Sequence, residues 1–226
     1  VGTINGHPFS AGNYRFDTEG KMIRTTDVVK EGDNLYYYYN GKRTANANLV
    51  LVDGDYYYID GAAKAVTNTT VQVDKTNGLL DKGVYYFGAD GKLVFINGVF
   101  EGYYYVNGVR TSAGLVLFEG NYYYAENGGK LATGKSVWVG NTNGLMTAGT
   151  YRFDAEGKMI QTTEVVNENG TLYYYYNGLR KANAGLVKQG DDYYYIEGGA
   201  IAATNKTVWV GTINGHPFSA GNYRFD

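Results

Sequence analysis

The chain has 226 residues, with 33 glycines and 25 tyrosines against 2 prolines and no cysteine, and its formal net charge at pH 7 is −2. The absence of cysteine excludes disulfides, zinc-thiolate sites and cysteine nucleophiles. A slightly acidic chain lacks the excess of basic residues that nucleic-acid binding requires, so we do not expect that partner. No apolar run approaches the roughly 18 residues of a membrane span, so we do not expect membrane insertion. Frequent glycine predicts tight turns, and frequent tyrosine predicts strands.

The segment that opens the sequence, VGTINGHPFSAGNYRFD at 1–17, recurs letter for letter at 210–226. The two copies begin at positions 1 and 210, which predicts that a longer parent protein carries this unit in tandem. Recurrence of this kind indicates a repeat architecture in which each unit packs mainly on its neighbours.

A shorter period begins with a motif that combines an aromatic strand with a glycine loop. In this motif Gly20 can take the left-handed position of a three-residue hairpin loop. The loop should pair an aromatic residue with a later apolar one, so we expect Tyr14 and Phe16 to face inward. The predicted pairs are Phe16 with Met22, Phe87 with Leu93, and Phe153 with Met159. The three copies read GNYRFDTEGKM at 12–22, GVYYFGADGKL at 83–93, and GTYRFDAEGKM at 149–159.

The second motif is a run of tyrosines before an Asn-Gly pair, which suits the two positive-φ positions of a type I′ turn. With that turn, Tyr38 opposes Arg43, and one strand face carries Tyr36, Tyr38 and Arg43. By polarity we expect this face to point outward, whereas alignment with the first motif would turn the two tyrosines inward, so both orientations stay open. The equivalent sets are Tyr103, Tyr105 and Arg110, and then Tyr173, Tyr175 and Arg180. The three copies read LYYYYNGKR at 35–43, GYYYVNGVR at 102–110, and LYYYYNGLR at 172–180.

A third tyrosine motif is followed by an apolar piece that contains both tryptophans of the chain. Trp138 and Trp209 each lie between two valines that should face the opposite way on a strand, and Gln72 holds the same place in the first copy. The tyrosine motif occurs as DYYYIDG at 55–61, NYYYAENG at 121–128, and DYYYIEG at 192–198. The apolar piece occurs as TVQVDKTNGL at 70–79, SVWVGNTNGL at 136–145, and TVWVGTINGH at 207–216.

These motifs predict the fold class. One hairpin is marginally stable in water, so the hairpins must stack and bury one another's aromatic faces. We therefore predict an all-β, elongated β-solenoid of about nine stacked β-hairpin repeats arranged as three triplets. The chain would be a single tandem-repeat array, with triplets at approximately 11–79, 80–145 and 146–218, and with 210–226 repeating 1–17.

The strings YRFDTEGKM, YYFGADGKL and YRFDAEGKM resemble the aromatic hairpin repeats of Gram-positive surface proteins. That superfamily comprises choline-binding modules, the glucan-binding repeats of glucosyltransferases, and the repetitive oligopeptides of clostridial toxins. The resemblance covers nearly the whole chain. It implies secretion, a β-solenoid fold, and binding of choline, α-glucan or host glycan in grooves between successive hairpins.

The candidate binding residues are aromatic rings and the arginines beside them, because a ring stacks on a sugar and a guanidinium supplies hydrogen bonds or stacks on the ring. The alternative interpretation is that the tyrosines only pack hairpin on hairpin. The candidates are Trp138, Trp209, Tyr36, Tyr38, Arg43, Tyr103, Tyr105, Arg110, Tyr173, Tyr175 and Arg180.

We expect no catalytic site, no metal and no cofactor. The two histidines, His7 and His216, are one repeat position seen twice, and neither has a serine or cysteine partner in its motif. Turn preference explains acidic residues such as Asp17 and Asp90. The spacing of Asp53 and Asp55 matches no calcium-loop pattern.

The sequence therefore favours a non-enzymatic, secreted or cell-surface repeat region that binds carbohydrate or cell-wall polymer through many weak aromatic grooves. A structural stalk or filament segment built by tandem duplication is the alternative. Homotypic association of chains is a third possibility, because exposed aromatic patches also mark protein interfaces.

Overall fold

The computed structural model describes residues 7, 9–211 and 213–226, and their regular structure is almost entirely strand and turn. Residues 1–6 and 8 of the duplicated segment lie outside the described residues, as does Thr212. The described chain divides into two compact units. Among these residues, none belongs to a helix with the length and apolar character needed to cross a membrane.

The first unit runs to Phe100 and includes Tyr105–Arg110. Its described residues form three sheets, with strand orders β1-β2-β3, β4-β5 and β6-β7-β10-β9-β8. The strands are β1 (Asp27–Glu31), β2 (Asn34–Tyr39), β3 (Lys42–Arg43), β4 (Asn48–Val52), β5 (Asp55–Ile59), β6 (Thr69–Val73), β7 (Gly83–Phe87), β8 (Gly98–Phe100), β9 (Tyr103–Val106) and β10 (Val109–Arg110).

The second unit comprises Glu101–Tyr104 and Thr111–Asp226. Its described residues form four sheets, β11-β12, β13-β14-β17-β16-β15, β18-β19 and β20-β21, and short 3-10 turns at Asn127–Gly129 and Gly198–Ala200. The strands are β11 (Gly114–Phe118), β12 (Asn121–Ala125), β13 (Lys135–Val139), β14 (Gly149–Phe153), β15 (Glu164–Glu168), β16 (Thr171–Tyr176), β17 (Leu179–Arg180), β18 (Gly185–Gln189), β19 (Asp192–Ile196), β20 (Lys206–Val210) and β21 (Gly221–Phe225).

The turns form where their chemistry predicts. Asn40 and Gly41 have φ of 49° and 80°, as a type I′ turn requires, and this turn places Tyr38 opposite Arg43. The loop glycine Gly20 also has a positive φ, of 76°. All three predicted loop pairs are confirmed, namely Phe16 with Met22, Phe87 with Leu93, and Phe153 with Met159.

The apolar pieces pair forward along the chain. Strand β6 forms an antiparallel hairpin with β7, β13 with β14, and β20 with β21. Each apolar piece therefore pairs with the first motif of the following triplet, and the predicted triplet boundaries at 79/80 and 145/146 fall inside the hairpin loops.

Backbone hydrogen bonds join each hairpin to an earlier one within the same unit. In the first unit, the N–H of Leu93 donates to the carbonyl of Tyr56 at 2.8 Å. In the second unit, the N–H of Met159 donates to Tyr122 at 2.8 Å, and that of Ala202 to Leu172 at 2.9 Å. The backbone N–H of the residue that follows one hairpin thus bonds a carbonyl at the strand edge of an earlier hairpin, and these bonds join the hairpins.

The core of each unit lies between stacked hairpins. Phe87 packs with Leu49 and Val73 in the first unit and is fully buried. Its equivalent in the second unit, Phe153, is 2 % exposed. The inward orientation expected of Phe16 is wrong, because its side chain is 51 % exposed.

A repeated asparagine in the loops of β6–β7, β13–β14 and β20–β21 anchors each of these loops to the preceding hairpin. The side-chain amide of Asn77 donates to the carbonyls of Ala47 and Leu49, both at 2.8 Å. Asn143 and Asn214 do the same in the second unit, each to a pair of carbonyls at 2.6 and 2.8 Å. The sequence motifs placed these asparagines only within the apolar pieces.

Candidate functional site

The predicted tyrosine–arginine group of the first copy forms a connected polar cluster. The Nε of Arg43 donates to the Tyr38 hydroxyl at 3.2 Å, and the guanidinium carbon lies 3.7 Å from the centre of the Tyr36 ring. Glu31 completes the cluster, since it accepts a hydrogen bond from Tyr38 at 2.6 Å and another from Arg43. Motif spacing did not identify Glu31, which lies 12 residues before Arg43.

The third copy has the same geometry in the second unit. The Nε of Arg180 donates to Tyr175 at 3.2 Å, and its guanidinium carbon is 3.7 Å from the centre of the Tyr173 ring. Glu168 accepts hydrogen bonds from Tyr175 at 2.5 Å and from Arg180 at 2.6 Å. Ser136, on strand β13, also donates to Glu168, at 2.8 Å. This cluster therefore links two hairpins.

The middle copy keeps the arginine contact but has a shorter first strand, β8. Arg110 still donates to the hydroxyl of Tyr105, at 2.9 Å. The ring of Phe100, at the end of β8, contacts Tyr86 with centroids 5.1 Å apart and Tyr105 at 6.3 Å. The three predicted groups thus share a tyrosine–arginine bond, but only the outer two contain a carboxylate.

The outward orientation expected from polarity is wrong for three tyrosines. Tyr38, Tyr105 and Tyr175 are 3 %, 0 % and 1 % exposed. Burial is possible because each hydroxyl bonds a neighbouring arginine, and a buried polar group is tolerated when it is hydrogen-bonded. The alternative alignment with the first motif gives the right orientation for these residues. The first tyrosine of each of these three runs is half-buried, namely Tyr36, Tyr103 and Tyr173.

Electrostatics favour one protonation state in the cluster of the third copy. Burial, and then the hydrogen bond to a carboxylate, raise the pKa of Tyr175, as they do for Tyr38 in the first copy. Burial alone would raise the pKa of Glu168, but hydrogen bonds from Tyr175 and Ser136 and the charge of Arg180 outweigh it and lower that pKa. Neutral Tyr175 beside ionised Glu168 is therefore the stable arrangement at neutral pH.

This arrangement predicts acid sensitivity that depends on Glu168. Because its folded-state pKa lies below the ordinary value of 4.5, its stabilising effect is complete above that value and is lost as pH falls through the lowered pKa. We expect Glu168→Gln to lower the free energy of unfolding at about pH 7 much more than at about pH 3. Urea unfolding at both pH values measures this difference.

Exposed Glu156 provides the control for that experiment, since Glu156→Gln changes a turn residue that contacts no cluster. It should lower stability little at either pH. If Glu168→Gln lowers the free energy of unfolding by the same amount at both pH values, the ionised state assigned to Glu168 is contradicted.

The tryptophans are exposed platforms, as their flanking valines predict. Trp138 and Trp209 are 65 % and 61 % exposed, whereas Val139 and Val210 are fully buried on the opposite face. Both indoles thus project from the same position of two equivalent hairpins, β13–β14 and β20–β21.

Polar residues surround each tryptophan on its strand face. Opposite Trp138 lies Thr150, and beside them on the same face the pair Ser136 and Arg152 lie opposite each other. The β20–β21 face carries Thr207, Trp209, Asn222 and Arg224 in the same register. The β6–β7 face has Thr70, Gln72, Val84 and Tyr86 instead.

A groove of about 370 Å³ lies beside Tyr193 and Phe225 in the second unit. Phe218 contacts Tyr193 there, with ring centroids 4.7 Å apart, and the ring of His216 contacts Tyr193 at 5.3 Å. Equivalent surfaces elsewhere are covered by the apolar residue that follows a hairpin, such as Met159 beside Tyr122. In this groove His216 contacts Tyr193 at the edge.

No family model matches the chain, and no curated protein matches it. Solved structures do resemble it. Choline binding protein F from Streptococcus pneumoniae is 20 % identical over 82 % of this chain and 74 % of that one, with a TM-score of 0.47. The choline-binding domain of CbpL from the same organism is 24 % identical over 82 % and 90 %, with a TM-score of 0.49. Alternansucrase in complex with isomaltononaose is 21 % identical over 88 % of this chain and 17 % of the enzyme, with a TM-score of 0.41.

These neighbours are choline-binding proteins and an enzyme solved with a bound glucan.

Proposed function

We propose that the chain is a non-enzymatic repeat region of a secreted or cell-surface bacterial protein, and that it binds a carbohydrate or cell-wall polymer. The observation that carries this proposal is the exposure of Trp138 and Trp209 in the same register of two hairpins. A large indole face left in water is unfavourable, and it becomes favourable when another apolar surface covers it. The C–H face of a sugar ring is such a surface.

A sugar suits these platforms better than a quaternary ammonium group. Recognition of choline-type cations uses a cage of several aromatic rings. Trp138 has Thr150 opposite it, with Ser136 and Arg152 next along the face, so hydrogen-bonding groups rather than further rings surround the indole. Hydroxyl, guanidinium and one ring together are complementary to the hydroxyl edge and apolar face of a pyranose.

The other predicted site residues divide into two sets. Tyr38, Tyr105 and Tyr175, with Arg43, Arg110 and Arg180, are assigned to packing, because their polar atoms bond one another and the tyrosines are buried. The half-buried tyrosines that begin the three runs remain candidates for ligand binding, namely Tyr36, Tyr103 and Tyr173.

We retain the β-solenoid of about nine hairpins in three triplets as part of the proposal. In such an array the binding sites repeat along the chain, so weak sites combine through multivalency. A polymer with repeated sugars is the ligand that gains most from this arrangement.

A structural stalk or filament segment is the second candidate, and the unchanged 17-residue recurrence at 1–17 and 210–226 favours it. A spacer tolerates duplication without limit, because its length and stiffness are its function. It does not require exposed tryptophans, and in a stalk both indoles should be replaceable without loss. Homotypic association would use the same exposed rings.

A glycan panel tests the proposal against the stalk. The panel holds host glycans, peptidoglycan fragments and α-glucans, and it compares the wild-type chain with the Trp138→Ala/Trp209→Ala variant. Each truncation should cost about 2 kcal/mol, or roughly 30-fold in affinity per site. Wild-type binding that this variant loses is the expected result.

Two further variants sharpen the comparison. Leu51→Ala/Leu117→Ala removes exposed apolar side chains outside the tryptophan faces and should leave binding unchanged. Gln72→Trp adds a third platform at the equivalent position of β6–β7 and should increase avidity. If the wild-type chain binds no glycan on the panel, or if the double tryptophan variant binds as well as the wild type, the carbohydrate-binding function is rejected in favour of the stalk.

A further inference from the structure

A polar groove of about 670 Å³ opens beside hairpin β13–β14 where the end of β15 approaches it. It lies within the second unit and is distinct from the aromatic groove at Tyr193. The polar residues that line it include Lys135, Ser136, Arg152, Asp154, Asn167 and Glu168.

Three of the four charged side chains in the lining are paired within the protein, and the carboxylate of the fourth, Asp154, accepts a backbone N–H at 2.7 Å. Lys135 pairs with Glu126 at 2.7 Å, and Arg152 pairs with Glu164 at 2.8 Å. Glu168 is paired with Arg180. A strongly charged ligand would have to disrupt one of these pairs, so the groove offers such a ligand little net electrostatic gain.

Hydrogen-bonding groups are fixed in place at the base of the groove. The guanidinium side chain of Arg152 is only 15 % exposed, and its carbon atom lies 5.1 Å from the centre of the Tyr175 ring. Glu168 is held by Ser136 and Tyr175. Donors and acceptors that are held by packing bind hydroxyl groups without much loss of side-chain entropy.

The groove is adjacent to the Trp138 platform. Ser136 lines the groove, and it precedes Trp138 by two residues on the same strand face. Two residues of strand span about 6.6 Å, which is close to the spacing of adjacent sugar rings in a glycan chain. A ligand that stacks on Trp138 would therefore extend toward Ser136 and Arg152.

The corresponding side chains of the first unit are aromatic. Tyr86 occupies the position of Arg152, opposite Thr70. The ring of Phe100, from the shorter strand β8, packs on Tyr86 with centroids 5.1 Å apart. The two units thus differ here both in side chains and in hairpin length.

We propose that this groove is a subsite for a neutral, polyhydroxylated sugar ring, next to the ring that stacks on Trp138. The inference rests on the proposed carbohydrate-binding function, and it adds the ligand class and the residues that select it. Ser136, Arg152 and Glu168 bind the hydroxyl groups, and the internal ion pairs discriminate against acidic glycans.

Calorimetric titration of the full chain tests the subsite. The probes are a malto-, an isomalto- and a chito-oligosaccharide, with an oligogalacturonate as the charged comparison. We expect a neutral probe to bind, and Arg152→Tyr/Glu168→Phe, which replaces two polar groups of the groove with aromatic rings, to weaken it about 10-fold or more. Ser136→Ala is the milder variant, with circular dichroism as the check of folding, and should weaken binding about 2- to 10-fold.

The outcomes separate the subsite from the function on which it rests. If Arg152→Tyr/Glu168→Phe and Ser136→Ala bind like the wild type while Trp138→Ala/Trp209→Ala does not, the subsite is wrong and carbohydrate binding stands. If no probe binds the wild-type chain, both fail. Tighter binding of the oligogalacturonate through the same groove residues would overturn the neutral ligand class.

Discussion

Gly178→Ala should destabilise the second unit by about 2–5 kcal/mol, because it combines backbone strain with a steric clash. Gly178 has a φ of 81°, and a Cβ atom there would lie 2.5 Å from the carbonyl oxygen of Ile160. The N–H of Gly178 also donates to Thr162 at 2.9 Å, so the turn cannot move away without losing that bond. Urea unfolding followed by tryptophan fluorescence reports this unit, since both tryptophans lie in it.

Gly170 is the matched control for Gly178. Its φ is 87°, and a Cβ atom added there would meet nothing within 4 Å. Gly170→Ala should therefore cost only the strain of the left-handed conformation, about 1–2 kcal/mol. Equal losses in the two variants would show that the contact between the turn and the segment at Ile160 does not form.

Phe153→Ala should lower the free energy of unfolding by about 3–5 kcal/mol. The ring is 2 % exposed and packs with Leu115, Val139 and Met159, which come from three different segments of the second unit. Its removal leaves a cavity at the point where successive hairpins meet, and that cavity cannot be filled by a local rearrangement of one turn.

Phe16 occupies the same motif position and is 51 % exposed. Phe16→Ala should therefore change stability by only about 0.5 kcal/mol. Circular dichroism during urea unfolding measures both variants. A large loss for Phe16→Ala together with a small one for Phe153→Ala would contradict the packing between hairpins.

Turn chemistry made much of the fold predictable. Asn40-Gly41 sets a two-residue turn, and this turn fixes the register that pairs Tyr38 with Arg43. Gly20 sets the longer loop that pairs Phe16 with Met22. These features are local, so they need only the residues that form them.

The orientation of the tyrosine runs was not predictable in the same way. Register determines which residues share a face, but not which face the next hairpin covers. Polarity predicted the wrong orientation for Tyr38, because its hydroxyl forms hydrogen bonds with Arg43 and Glu31 inside the structure. Motif spacing gave no signal for Glu31, because it lies on the paired strand β1, 12 residues before Arg43.

The candidate site was predictable in part for a similar reason. Alternation along a strand placed Trp138 and Trp209 on the face opposite their valines, and the structure confirms this placement. The polar groove at Arg152 needed tertiary information, because Glu168 approaches it from a different hairpin. The loop anchor at Asn143 was missed for the same reason, since its carbonyl partners lie 28 and 30 residues earlier.

The indole N–H resonances of the two tryptophans provide the most direct test of glycan binding. The chain contains only two tryptophans, so a ¹⁵N-labelled sample gives one indole signal for Trp138 and one for Trp209, and single Trp→Ala variants assign them. During titration with the best ligand from the glycan panel, both signals should shift along the binding curve, while the backbone amide of Gln72 in β6 stays unchanged. Binding that leaves both indole signals in place would contradict the assignment of the tryptophans as the carbohydrate platforms.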